Sequence, residues 1–149
     1  MIKYLNIMVT FAEIPVEVTL SINITNCQNK CPGCHSPELR ENIGTELTKD
    51  ELNNLINKNK GVSCVLFMGE GNDREALIEL AKHVKSLGLK PGLYSGAESV
   101  PESVWEVFDY IKIGPYIEKL GPLNKETTNQ RLYKRTDSGW EDITKMFWK

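Results

Sequence analysis

The sequence predicts an α/β fold built on parallel strands, and three observations predict it. Short alternating or wholly apolar runs recur along the chain, helical stripes at i, i+3, i+4 spacing separate them, and glycines or capping residues stand at the junctions. Strand alternates with helix four times over, which implies strands joined by right-handed crossovers. The outcome is either an incomplete parallel (β/α) barrel or an open sheet. Residues 1–149 contain no linker, internal repeat or low-complexity tract, and 40% hydrophobic content suits one core, so a single domain is expected.

The first strand is read in Val16-Glu17-Val18-Thr19-Leu20-Ser21-Ile22-Asn23-Ile24, where β-branched or apolar residues alternate with polar ones as in a half-buried strand. It runs straight into Cys27. Thr48-Lys49-Asp50-Glu51 then forms a capping box, followed by Leu52, Leu55 and Ile56 on one helix face. Beyond Gly61, Val62 to Phe67 is a short, mostly apolar run suited to a strand buried on both faces, closed by Met68-Gly69-Glu70-Gly71. A second helix carries Leu77, Leu80, Ala81 and Val84 between a start near Asn72 or Asp73 and a stop at Gly88. Leu89 to Tyr94 reads as the next strand. Ser99-Val100-Pro101-Glu102 offers a further capping box and an early proline, with Val104, Val107 and Phe108 as the buried face of a third helix. Tyr110 to Ile113 is the fourth strand. Arg131 to Thr136 and Glu141 to Phe147 flank Asp137-Ser138-Gly139, which predicts a C-terminal hairpin.

Charge narrows the function classes. Eighteen Lys and Arg against 20 Asp and Glu leave a net charge of -2, which supplies no field for capturing nucleic acid or an anionic membrane. No window approaches the roughly 18 apolar residues of a membrane span. Met1-Ile2-Lys3-Tyr4-Leu5-Asn6 lacks the apolar core and cleavage site of a signal peptide, so a cytoplasmic, reducing setting is expected. Clustered thiols there serve metals or catalysis more often than disulfides.

Three of the four cysteines stand in Cys27-Gln28-Asn29-Lys30-Cys31-Pro32-Gly33-Cys34, close enough for one loop to wrap a single inorganic centre. Structural zinc sites and ordinary ferredoxin clusters use four ligands. Cys64 lies in the middle of an apolar strand and reads as a small core residue. His35 is the other candidate fourth ligand, but it adjoins Cys34, and a ring one residue from a ligand rarely turns back to the same metal. Two readings stay open on the residues alone. One is zinc on three thiolates and His35, ordering a docking loop of a small interaction module. The other is four irons held by three thiolates, with one iron left to chelate the amino and carboxylate groups of a methionine moiety.

The Cys27, Cys31, Cys34 spacing in a loop after the first strand resembles the signature of radical S-adenosylmethionine enzymes. Further blocks extend the likeness over most of the chain: Cys31-Pro32-Gly33-Cys34-His35-Ser36-Pro37-Glu38-Leu39, Phe67-Met68-Gly69, Tyr94-Ser95-Gly96, Ile113-Gly114-Pro115-Tyr116-Ile117 and Thr127-Thr128-Asn129-Gln130-Arg131. Together they are similar to the activating proteins of anaerobic ribonucleotide reductase, as is the short length. The resemblance implies the incomplete barrel or open sheet of the radical S-adenosylmethionine type, a 4Fe-4S cluster on Cys27, Cys31 and Cys34, and S-adenosylmethionine as the molecule cleaved. It implies an oxidoreductase of the glycyl-radical-enzyme activating class. The products would be methionine and a 5'-deoxyadenosyl radical, which removes a hydrogen from a glycine of the reductase catalytic subunit. An electron donor such as a flavodoxin would complete the set of partners. Another glycyl-radical enzyme is the alternative target.

The chain departs from the family pattern at two places. Gly33 replaces the aromatic residue that often precedes the third cysteine, so only backbone contacts to adenine from Gly33, Cys34 and His35 are implied. The acid that follows the family's paired glycines comes one residue early, as Glu70 after Gly69, and Glu70 inherits the role of binding the methionine ammonium. Independently of the family, Cys27, Gly69, Ser95 and Gly114 each stand just beyond a predicted strand, on the face where parallel α/β folds bind ligands. His83 reads as part of a solvated helix face. Trp105, Trp140 and Trp148 read as core or contact aromatics.

Overall fold

The computed structural model describes residues 2–11, 13, 14, 17–25, 44–114, 117, 119–121, 123 and 125–147. Among them the chain forms β1 (Lys3–Thr10), β2 (Thr19–Ile24), β3 (Thr45–Glu46), α1 (Lys49–Lys58), β4 (Cys64–Met68), α2 (Arg74–Ser86), β5 (Lys90–Tyr94), α3 (Glu102–Val107), β6 (Tyr110–Ile113), β7 (Arg131–Thr136), β8 (Gly139–Asp142) and a 3₁₀ turn at Thr144–Phe147. The fold is α/β. All eight strands lie in one mixed sheet of order β3-β1-β2-β4-β5-β6-β7-β8.

The four strands read as parallel are parallel: β2, β4, β5 and β6 stand side by side in chain order. The flanks differ from an all-parallel sheet. β1 lies antiparallel against β2, and β7 and β8 continue antiparallel from β6, so the C-terminal hairpin extends the same sheet. Each crossover moves on to the neighbouring strand in one direction, and all three helices pack on one face. Leu20, Ile22, Ile24, Val65, Phe67, Leu93 and Ile111 supply the sheet side of that core. Leu52 and Leu55 of α1, the Leu77, Leu80, Ala81, Val84 stripe of α2, and Val104 and Val107 of α3 supply the helix side. The opposite face buries Cys64, Leu66, Tyr110 and Leu132 under Ile14 and Ile143.

Asp73 and Thr48 cap their helices as expected, but neither capping box closes. Thr48 does cap α1, accepting from the Glu51 N–H at 3.1 Å, but the Glu51 carboxylate accepts from the Tyr4 hydroxyl at 2.7 Å and so ties α1 to β1. Burial and this carboxylate push the Tyr4 hydroxyl up to about 12. Asp73 caps α2 by accepting from Ala76 N–H. At α3 no box closes around Ser99, because Pro101 is itself the cap and the helix starts at Glu102.

The amino-terminal edge of the parallel strands carries a buried carboxylate that the sequence reading did not single out. Glu17 accepts from Tyr110 Oη at 2.6 Å, Ser63 Oγ at 2.6 Å and Lys90 Nζ at 2.8 Å. Burial alone would raise its pKa, yet the bonds from Lys90, Ser63 and Tyr110 outweigh burial and lower it. The network clamps the segment before β2 across three strands that follow it.

Candidate functional site

Register places one edge of the sheet as a row. Asn23, Met68, Tyr94 and Lys112 are aligned across β2, β4, β5 and β6, and the chain leaves each of these strands on the same side. The turns there are joined to their neighbours through the backbone. Gly69 N–H donates to Tyr94 O at 2.9 Å, Ser95 N–H to Lys112 O at 2.8 Å, and Gly114 N–H to Ala97 O at 2.7 Å. Gly69, Ser95 and Gly114 therefore share the carboxyl edge, as their positions after strands predicted.

Glu70 is a buried acid of this edge. It is 7% exposed, and its Oε2 accepts from Ser95 Oγ at 2.8 Å. Its Oε1 lies 3.5 Å from Arg74 Nη2, whose side chain is half in solvent, so that pairing is weak. The two residues assigned separately, Glu70 and Ser95, are thus in direct contact. Ser95 is fully buried, and its hydroxyl also accepts from Ala97 N–H at 3.0 Å.

Two groups were missed by sequence reasoning. Lys112 is buried at the end of β6, with Nζ donating to Ser95 O at 3.3 Å and lying 5.7 Å from the Tyr94 ring centroid. The signal was a lone lysine within the buried run Tyr110-Ile111-Lys112-Ile113. Thr128 and Gln130, quoted above only for their likeness, are also buried. Gln130 Nε2 donates to Gly114 O at 3.4 Å, and Gln130 N–H donates to Thr128 Oγ1 at 3.0 Å. Gly114 has φ +103, and a Cβ there would come within 3.0 Å of Gln130 Cα and 3.2 Å of Asn129 O. Glycine is what lets the 128–130 segment close on the end of β6.

Cys27, Cys31, Cys34, Gly33 and His35 lie outside the described residues. Their flanks do not. Thr25 N–H donates to Lys3 O at 2.9 Å, and Thr45 pairs with Tyr4, so the chain leaves after Thr25 and returns before Thr45 beside the same end of β1. Tyr4 is in turn paired with Ile24, at the carboxyl end of β2. Among the described residues no group of three or more His, Cys, Asp or Glu is placed to hold a metal ion. Cys64 is fully buried in mid-strand, and burial foremost, with Glu17 adding to it, pushes its thiol up to about 12. It is a protonated core residue.

His83 does not stand on a fully solvated face. It is half-buried, and its Nε2 shares a 2.7 Å hydrogen bond with Asn53 Oδ1 across the α1–α2 contact, which i, i+4 reasoning within one helix does not reveal. Trp105 and Trp140 are contact aromatics, edge to face at 4.9 Å, with Arg135 4.7 Å from the Trp140 ring. Trp148 lies outside the described residues. No helix among the described residues is long and apolar enough to cross a membrane. No family model, curated protein or solved structure matches the chain.

Proposed function

We propose that the chain is a glycyl-radical-enzyme activase of the radical S-adenosylmethionine type, acting on the catalytic subunit of anaerobic ribonucleotide reductase. The observation that carries this reading is the meeting of buried Glu70, Ser95 and Lys112 at the carboxyl edge from which the cysteine-bearing segment departs. The buried Glu70 carboxylate, held by the Ser95 hydroxyl, suits the ammonium of an amino-acid moiety.

Cys27, Cys31 and Cys34 would hold the 4Fe-4S cluster. When bound and reduced by a donor such as a flavodoxin, that cluster supplies the electron that splits S-adenosylmethionine into methionine and the 5'-deoxyadenosyl radical. The chain's own residues bind and orient. Glu70 and the carbonyls around Gly69 would hold the ammonium, the family resemblance assigns adenine to the backbone of Gly33 to His35, and the Thr128–Gln130 segment walls the edge beside Gly114. The winding supports this assignment. Among the described residues the crossovers step to the next strand and the helices lie on one face, as expected for a (β/α) barrel rather than a doubly wound sheet. The antiparallel flanks would cap such an incomplete barrel.

Anaerobic reconstitution with iron and sulfide tests the reading. A brown protein that, with reductant, turns S-adenosylmethionine into methionine and 5'-deoxyadenosine and raises a glycyl radical on the reductase is expected. A radical raised only on a different glycyl-radical enzyme moves the target. A colourless protein that keeps zinc and cleaves nothing overturns the reading in favour of an interaction module.

A further inference from the structure

We infer that Ser95 is a positioning residue, whose hydroxyl fixes the Glu70 carboxylate and does not itself touch the ligand. The inference rests on the S-adenosylmethionine reading of this edge and deepens it.

A serine hydroxyl has one proton to donate. In Ser95 that proton is directed at Glu70 Oε2 at 2.8 Å, while the same oxygen accepts from Ala97 N–H at 3.0 Å. The backbone of Ser95 is equally engaged, its N–H with Lys112 O at 2.8 Å and its carbonyl with Lys112 Nζ at 3.3 Å. With none of its surface exposed, Ser95 sits behind the edge rather than on it. It links the turn after β4, the end of β5 and the end of β6 at a single point.

The consequence falls on Glu70. Its side chain has several rotatable bonds and springs from a turn between two glycines, Gly69 and Gly71, and the pairing with Arg74 in its own segment is long, at 3.5 Å, and half in solvent, so it sets that direction weakly. A bond from a residue locked at the end of a central strand supplies that direction. A carboxylate has room for about four acceptor contacts, so one oxygen can be held by Ser95 while the group still receives an ammonium. Preset geometry of this kind raises affinity by removing the cost of ordering the acid when the ligand arrives.

A double-mutant cycle on the reconstituted full chain, read by anoxic titration with S-adenosylmethionine, tests this. Ser95→Ala is expected to weaken binding roughly three- to tenfold, the effect of one hydrogen bond. In a Glu70→Gln background the same change is expected to add little, because its route to the ligand is gone. Equal losses in both backgrounds would overturn the inference by making Ser95 a direct ligand contact, and no loss in either would overturn it outright. A second readout needs no ligand. In the 13C-glutamate-labelled chain, the Glu70 carboxyl resonance, identified by its absence in Glu70→Gln, is expected to move in Ser95→Ala. If it moves while the wild-type chain binds no S-adenosylmethionine, the functional reading fails and the Ser95–Glu70 coupling stands. If it does not move, the inference fails whatever binding shows.

Discussion

Replacing Glu17 by alanine is expected to destabilise the chain by about 2–4 kcal/mol, with most of the loss arising from a single stranded hydroxyl. The carboxylate receives three donors, but they lose unequally. Tyr110 is 1% exposed, so its hydroxyl, 2.6 Å from Glu17 Oε2, is left buried without that acceptor, at a cost of about 1–3 kcal/mol. Lys90 is half in solvent and turns to water, so its 2.8 Å pairing counts only as the ~0.2–1 kcal/mol of a surface ion pair. Ser63 keeps the Val18 carbonyl at 3.4 Å as a second acceptor and adds least. Urea unfolding with an unchanged slope is the assay. The pH dependence has a definite sign. Because the folded state holds the Glu17 pKa below its unfolded value of 4.5, its contribution is complete above about pH 4.5 and is lost as pH falls through the lowered value. The gap between wild type and Glu17→Ala therefore narrows in acid. In a Tyr110→Phe background, where no hydroxyl is stranded, the loss is expected to fall by about 1–2 kcal/mol. A loss under about 0.5 kcal/mol at neutral pH, or an undiminished loss in that background, would refute the reasoning.

Two shorter predictions bear on the site and its ligands. Gly114→Ala is expected to cost about 2–4 kcal/mol in urea melts, against about 1–2 kcal/mol for Gly61→Ala, whose φ of +99 is close to the +103 of Gly114 but which has no atom within 4 Å of a new Cβ. Equal costs would mean that the Asn129–Gln130 approach is absent. Alanine at Cys27, Cys31 or Cys34 is expected to abolish cluster assembly, whereas Cys64→Ala keeps it. Native Cys64 should also resist thiol reagents near about pH 8, since it is buried with its thiol pushed up to about 12. Loss of iron in Cys64→Ala would make it a ligand.

The central strands and helices were legible because each carries its own period. The α2 stripe and the apolar β4 run need no partner to be recognised. β1 was not legible for a physical reason. Its register against β2 shifts between Tyr4 and Ile7, and it leaves Leu5, Met8 and Val9 exposed while Ile7 packs on the core, so no period-2 stripe survives in the sequence. β3 is two exposed residues, too short for any pattern. The amino-terminal antiparallel flank follows from what was missed. Without β1, the alternation of strand and helix implies a sheet that begins on a parallel strand, while the C-terminal hairpin was legible from its turn residues but not as a continuation of the same sheet.

At the carboxyl edge, sequence order revealed where residues stand but not what they touch. Gly69, Ser95 and Gly114 were placed correctly because a residue after a parallel strand must emerge on the strand's carboxyl side, whatever its chemistry. The Ser95–Glu70 bond spans 25 residues and depends on the register of β4 against β5, which hydrophobic pattern alone leaves undetermined. A displaced acid looked, in sequence, like a side chain turned one step away from its task. In the fold, a buried hydroxyl on the neighbouring strand meets the acid. Glu70 departs from a glycine-flanked turn, and the shorter of its bonds to Ser95 and Arg74 is the one from Ser95, itself buried and bonded to β6, so the central strands help to aim the acid whatever its count from Phe67.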